Sequence, residues 1–148
     1  MTPDTLFQIC NTIVLPAWLL LIFAARWEWT SKIVLSGIVL ILCLVYVLGV
    51  SEAIGDGKLD LGSFGSLEGV MALFTAAEAV LVGWVHYLAF DLVVGWFIAQ
   101  NAIKHNISPF LVAPCLLFTF MLGPTGFLLY WIIRTIKIKQ FFPQTTDV

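Results

Sequence analysis

Long apolar runs interrupted at a few polar clusters set the pattern of this chain. A bilayer core needs about 20 apolar residues per helix, and four segments reach that length. The first covers residues 5–25 and is interrupted by Asn11 and Pro16. The second, about residues 31–50, holds the uncharged run IVLSGIVLILCLVYVLGV. A Gly-, Ser- and acid-rich stretch, SEAIGDGKLDLGSFGSLEG, then reads as a solvated loop with a short interfacial turn at Leu59 to Phe64. The third span covers residues 70–100, and a short polar connection from Asn101 to Ser108 leads to the fourth, residues 109–134. In that last span Pro114, Gly123, Pro124 and Gly126 predict kinks, because proline removes a backbone donor and clashes with the preceding turn. The pattern predicts an all-α polytopic membrane protein, a four-transmembrane-helix bundle forming one membrane domain over residues 1–148.

Composition agrees with that pattern. Hydrophobic residues make up 61% of the 148, charged residues 11%, and mean hydropathy is +1.02, whereas soluble domains carry about 25% charged residues. A net charge of −2 offers no basic surface that argues for nucleic acid or anionic lipid, so the bilayer itself is the expected partner. Cys10, Cys43 and Cys115 lie in apolar runs without ligand spacing and read as small buried hydrophobes. The initial segment lacks a basic start and an Ala-x-Ala site, so it reads as a retained span and not a cleaved signal. Trp27, Trp29 and Trp131 fall at span ends, where indole rings prefer the interface; Trp18, Trp84 and Trp96 are deeper and suit packing. Orientation is in conflict. Arg26 and Lys32 follow the first span, Arg134, Lys137 and Lys139 follow the fourth, and four crossings put the two groups on opposite sides. The reading adopted is that both termini are cytoplasmic.

Candidate chemistry rests on Glu78, His86 and Asp91, which interrupt an apolar stretch from Gly69 to Ala99. Ionisable groups at such depth are costly and line interiors, cavities or relays, or else join neighbouring helices by hydrogen bonds. On a regular helix Glu78 and His86 differ by about 80° and share a face, about 12 Å apart along the axis. Asp91 points about 140° away from His86. It therefore meets another neighbour, such as Asn11, or a π-bulge near Gly83 or Gly95 brings it round. Burial favours the uncharged forms of carboxyl and imidazole groups, so such a set offers a carboxylic acid as proton donor and a neutral imidazole as acceptor. The spacing fits no metal motif such as H-E-x-x-H, and no metal is expected. Lys104 and His105 read as solvated loop residues. The absence of G-x-S-x-G, a P-loop, a dinucleotide fingerprint and Cys-x-x-Cys excludes the commoner serine hydrolase, nucleotide and thiol redox classes.

The runs GWVHYLAFDLVVGWFIAQNA and APCLLFTFMLGPTGFLLYWIIR resemble the plant neoxanthin-synthase-like (abscisic-acid-deficient-four-like) membrane family. The likeness rests on Trp84-x-His86 with Asp91 five residues on, Cys115-Leu116-Leu117 and Gly123-Pro124-x-Gly126, with a similar start in LPAWLLLIFAARW. Plant relatives tend to carry an arginine soon after the aspartate-leucine pair, where this chain has Gly95-Trp96-Phe97, and no transit segment precedes the first span. The chain therefore resembles a bacterial-type member, expected in the inner membrane as a multi-pass protein. The resemblance implies an isomerase of epoxy-carotenoids or related isoprenoid lipids. One epoxide opens and an allene forms, with no cofactor, through acid/base work by Glu78, His86 and Asp91. Asn11, Trp84 and Pro124 are the matching substrate-contact candidates, with a carotenoid or isoprenoid as ligand. The alternative is a non-catalytic membrane protein that binds a pigment, a lipid or a partner subunit. Gly37, Gly69, Ala72, Ala76 and Ala79 permit close helix approach, so a homo-oligomer that builds a lipid-facing cleft is also expected.

Overall fold

Thr2 opens the first helix by accepting from the Thr5 amide, and Pro3 follows in the first turn, where its missing N–H costs nothing. In the computed structural model, which describes residues 2–57 and 60–142, helix α1 then runs Pro3–Phe23 without a break. Pro16 is accommodated inside it, and Asn11 turns its amide back to the Phe7 carbonyl at 2.7 Å, so neither residue interrupts the helix as expected. Helix α2, Glu28–Gly55, begins π-helical over Lys32–Val39. A 3₁₀ turn at Leu61–Gly65 and the short helix α3, Leu67–Leu73, occupy the loop. The expected turn from Leu59 to Phe64 thus starts two residues later and ends one later, with Leu59 itself outside the described residues. Helix α4, Ala77–Lys104, follows, so the expected third span starts later and ends later than its apolar run. Asn101 to Lys104 continue this helix; they are not part of the connection. The helices α1, α2 and α4 are long and apolar enough to cross a membrane.

The fourth expected span is not one helix. It divides into α5, Pro109–Leu122, and α6, Pro124–Ile138, at Gly123, whose φ of +46° ends the first segment. Pro124 starts the second with a ring already set for a helix N-terminus. At 1.5 Å per residue, segments of 14 and 15 residues reach about 21–23 Å, short of a hydrocarbon core of about 30 Å. The chain also reverses here. Gly126 lies directly on Thr119 and the Cys115 carbonyl, so that a Cβ at this position would overlap backbone. Residues eleven apart in sequence would be far apart on a bent helix; their contact makes α5 and α6 a closed hairpin.

Contacts along α4 fix the register of everything else. Phe7 and Asn11 of α1 meet Trp84, Trp18 lies over Gly95, and the Ala25 carbonyl accepts from Gln100, so α1 runs parallel to α4. Ser31 meets Trp96, Tyr46 meets His86 and Gly49 meets Val82, so α2 runs the opposite way. The tip of the hairpin, Gly123, meets Asp91 halfway along α4, and α6 then runs back beside Phe97 and Asn101. Both ends of the hairpin therefore lie at the Lys104 end of the bundle. Trp18, 4% exposed, is wedged between Gly95 and Phe120, with its ring 5.4 Å from that phenylalanine, and so joins α1 to both α4 and the hairpin.

A buried polar joint holds the returning helix. Asn101 Oδ1 accepts from the Tyr130 hydroxyl at 2.7 Å and from Arg134 Nε at 3.1 Å, and all three side chains are almost wholly buried. Arg134 Nη1 also donates to the Gln140 carbonyl, and its guanidinium lies 4.8 Å from the Trp131 ring centroid. Arg134, counted from the sequence among the bases at the end of the fourth span, is fully buried, and Trp131 is half-buried against it. A buried cation is tolerated because its donors are occupied and a ring face covers it.

This path removes the conflict over orientation. Arg26, Lys32, Lys104, Lys137 and Lys139 fall at one end of the bundle, whereas Asp4, Glu52, Asp56, Asp60, Glu68 and Glu78 fall at the other. By the rule that basic loops stay inside, the Lys104 end is expected to face the cytoplasm or its equivalent and the N-terminus the opposite side, in place of two cytoplasmic termini. Single cysteines at Ser108→Cys and Lys137→Cys in sealed vesicles are expected to react with an impermeant maleimide from the same side. Reaction from opposite sides would establish a crossing by this segment. The buried joint has its own signature. Asn101→Leu is expected to cost about 3 kcal/mol by taking a shared acceptor from a tyrosine and a cation, and the double variant Asn101→Leu with Arg134→Met should recover part of that loss in thermal unfolding.

Candidate functional site

The regular turn of α4 decides which candidate residues meet. Residues 84, 87 and 91 follow a three-then-four spacing, which puts Trp84, Tyr87 and Asp91 in one row along the helix. No π-bulge interrupts α4; the π-helical stretch of this fold lies in α2 instead. Asp91 therefore stays where ideal geometry puts it, away from His86.

At the upper end of the row, Trp84 Nε1 donates to Asn11 Oδ1 at 3.2 Å. Asn11 is thus a partner of Trp84 and not of Asp91. Phe7 lies 5.7 Å from the Trp84 ring, and Tyr87 stacks on its other neighbour side at 5.3 Å with an interplanar angle of 26°. These rings form an aromatic shelf that Trp84, 37% exposed, opens to the outside.

At the lower end, Asp91 faces the hairpin tip. A Cβ on Gly123 would come within 2.8 Å of Asp91 Oδ1, so the carboxylate occupies the space that glycine leaves free. Glycine is required twice over, for that approach and for the positive φ. The Tyr87 side chain lies near the carboxylate from one turn earlier on α4, and Oδ2 is closed to solvent with no hydrogen-bond partner among the described residues. Pro124, exposed beside Gly123, completes the rim and begins α6, whose N-terminal end favours a negative charge beside it.

Of the six expected site residues, Asn11, Trp84, Asp91 and Pro124 belong to this row and its rim. The other two lie elsewhere. His86 is exposed on the side facing α2, its ring 5.3 Å from that of Tyr46 and 4.6 Å from that of Phe90. Glu78 lines a cleft of about 220 Å³ near the acidic end, which also contains Tyr46, Glu52 and Asp56. The shared face expected for Glu78 and His86 holds to the extent that both look toward α2. Neither converges on Asp91, so the three do not form one acid/base set. Among the described residues no group of three His, Cys, Asp or Glu side chains is placed to hold a metal.

Sequence reading missed Tyr87 and the Asn101, Tyr130 and Arg134 joint. The signal for Tyr87 was present, since a tyrosine four residues before an intramembrane aspartate shares its helix face. Tyr130 and Arg134 show the same four-residue spacing in an apolar run, but nothing local names Asn101 as their acceptor. Cys10 and Cys115 are buried and Cys43 is half-buried, all as free thiols, in line with their expected packing role.

Comparison with known proteins places this arrangement. Over 145 residues, 93% of this chain, the sequence is 26% identical to the Arabidopsis thaliana protein ABA DEFICIENT 4, chloroplastic, and spans 64% of that relative's length. No solved structure matches the chain. The matching segment of the ABA DEFICIENT 4-like family model covers residues 5–130, from the start of α1 through the hairpin to Tyr130, and the chain belongs to that family.

Proposed function

We propose that this protein is an integral-membrane isomerase that acts on an epoxy-carotenoid or a related epoxidised isoprenoid lipid, with Asp91 and Tyr87 as its acid/base pair. The observation that carries the reading is the Asp91 carboxylate, halfway along a membrane-length helix, with one buried oxygen unpartnered and a tyrosine hydroxyl beside it. An aromatic shelf leads to that carboxylate from Asn11, and its outer ring is open to the lipid. A rigid conjugated chain suits such a shelf, and its oxygenated end ring would then lie at Asp91 and Pro124.

The chemistry balances without an oxidant or reductant. The Asp91 carboxylate takes a proton from the vinylic carbon next to the epoxide. The electron pair of that C–H bond forms the second double bond of an allene as the adjacent epoxide C–O bond breaks. The Tyr87 hydroxyl gives its proton to the departing oxygen, which becomes an alcohol, and protonated Asp91 returns a proton to the tyrosinate. Product and substrate are isomers. Positioned proton transfer of this kind contributes about 10²- to 10⁴-fold.

A second reading is supported by the same carboxylate. Asp91 beside the N-terminal end of α6 is also a fixed anchor for the hairpin tip, which suits a protein that binds a pigment or lipid without converting it. Expression in a host that accumulates epoxy-carotenoids separates the two. Conversion is expected in the wild type, a loss of about 10²-fold or more in Asp91→Asn and Tyr87→Phe, and near-normal conversion in His86→Ala. Pigment profiles unchanged by Asp91→Asn and Tyr87→Phe, or abolished by His86→Ala alone, would sink the assignment. Lower thermal stability with no turnover in any variant would favour the anchor.

A further inference from the structure

The hairpin, in folding back, leaves a groove at the basic end of the bundle that shares no residue with the Asp91 row. Its walls come from Leu21 and Phe23 of α1, Ala99 and Ala102 of α4, and Val112 and Leu116 of α5, around about 110 Å³. Every lining side chain is apolar except one. Arg26 sits at the mouth, exposed, just past the end of α1. Trp27 and Trp29 follow at 50% and 49% exposure, in the position of an interfacial belt. We propose that this groove is a binding site for an anionic phospholipid, one acyl chain lying along α5 and its phosphate held by Arg26.

Three features select that occupant. The groove runs from the level of the tryptophan belt toward the bundle centre, so a ligand in it has a head at the interface and an apolar body in the hydrocarbon. Its single charged lining group is a guanidinium, which matches phosphate with paired donors and leaves a zwitterionic head with an unmatched ammonium. It also lies at the end where Lys32, Lys104, Lys137 and Lys139 outnumber the one nearby acid, Glu28, among the described residues, so the surrounding field favours anions. The small side chains of Ala99, Ala102 and Ala113 leave the groove deep enough to admit a chain. The lipid would fill the seam between α1 and the hairpin and so brace the hairpin against the spanning helices. The proposal is independent of the assigned chemistry, since it uses none of Tyr87, Asp91 or Trp84.

The test uses the full chain in detergent, offered phosphatidylglycerol or phosphatidylcholine of identical acyl composition, with retained lipid read by native mass spectrometry. Wild-type protein is expected to retain phosphatidylglycerol about tenfold better, the scale of one charge-assisted contact. Arg26→Gln should remove that preference while leaving thermal unfolding in phosphatidylcholine nanodiscs unchanged, and Arg26→Lys should restore part of it. Ala113→Trp, which fills the floor, should lower retention of both lipids; if that variant does not fold, the Arg26 pair decides. Excess inorganic phosphate should not displace the lipid. Equal retention of the two lipids by the wild type, a preference untouched by Arg26→Gln, undiminished retention by folded Ala113→Trp, or displacement by phosphate alone would overturn the assignment.

Discussion

The contact between Asp91 and the turn at Gly123 is the constraint around which the rest of this protein is arranged. At bilayer depth a helix break leaves backbone groups without partners and a carboxylate without water, and either is costly when it faces lipid. Here they are set against one another, with Asp91 Oδ2 still without a hydrogen-bond partner among the described residues. The turn is covered by α4, and the carboxylate lies at the N-terminal end of the helix that begins there. With the tip pinned at mid-length of α4, two segments too short to cross can return to the end from which they came. Trp18 fills the notch left by Gly95 beside the tip, and the Asn101 joint closes the base, so the hairpin is held at both ends by contacts of different kinds.

From that arrangement the division of the polar groups follows. A regular α-helix can bring together residues three, four and seven apart, and α4 does so for Trp84, Tyr87 and Asp91. It cannot also bring in His86, five residues from Asp91, and His86 instead joins Tyr46 and Phe90 on another side. The Asp91 carboxylate therefore has a phenol and not an imidazole on its own helix face, next to rings that continue to α1.

Much of this was legible in the one-dimensional pattern, and its limits have physical causes. The three long apolar helices follow from run length, and a change of direction in the last segment from its prolines and glycines, Gly123 and Pro124 among them. Asp91 stood out as an ionisable residue that a membrane run would otherwise exclude, and it lies along one surface with the contact candidates Asn11, Trp84 and Pro124, whereas Glu78 and His86, picked out on the same ground, lie elsewhere. Tyr87 did not stand out, because a tyrosine is unremarkable in an apolar helix until its neighbour one turn on is considered. Asn101 was placed in a loop because polarity rises there, although the helix continues to Lys104 and buries it.

The sequence by itself determined that this is a helical membrane protein of the ABA DEFICIENT 4-like family, where its apolar segments lie, and that the last of them changes direction among Pro114, Gly123, Pro124 and Gly126. Those properties depend on local quantities: apolar length, proline's missing donor and glycine's access to positive φ. Only the tertiary structure decided that the break is a reversal and not a kink, that Asp91 meets it, and that Arg134 is buried against Asn101. A glycine and a proline permit a change of direction without specifying which one. The choice is made by packing and by polar groups that find partners only when distant parts of the chain come together, and none of those energies is carried by a residue's sequence neighbours.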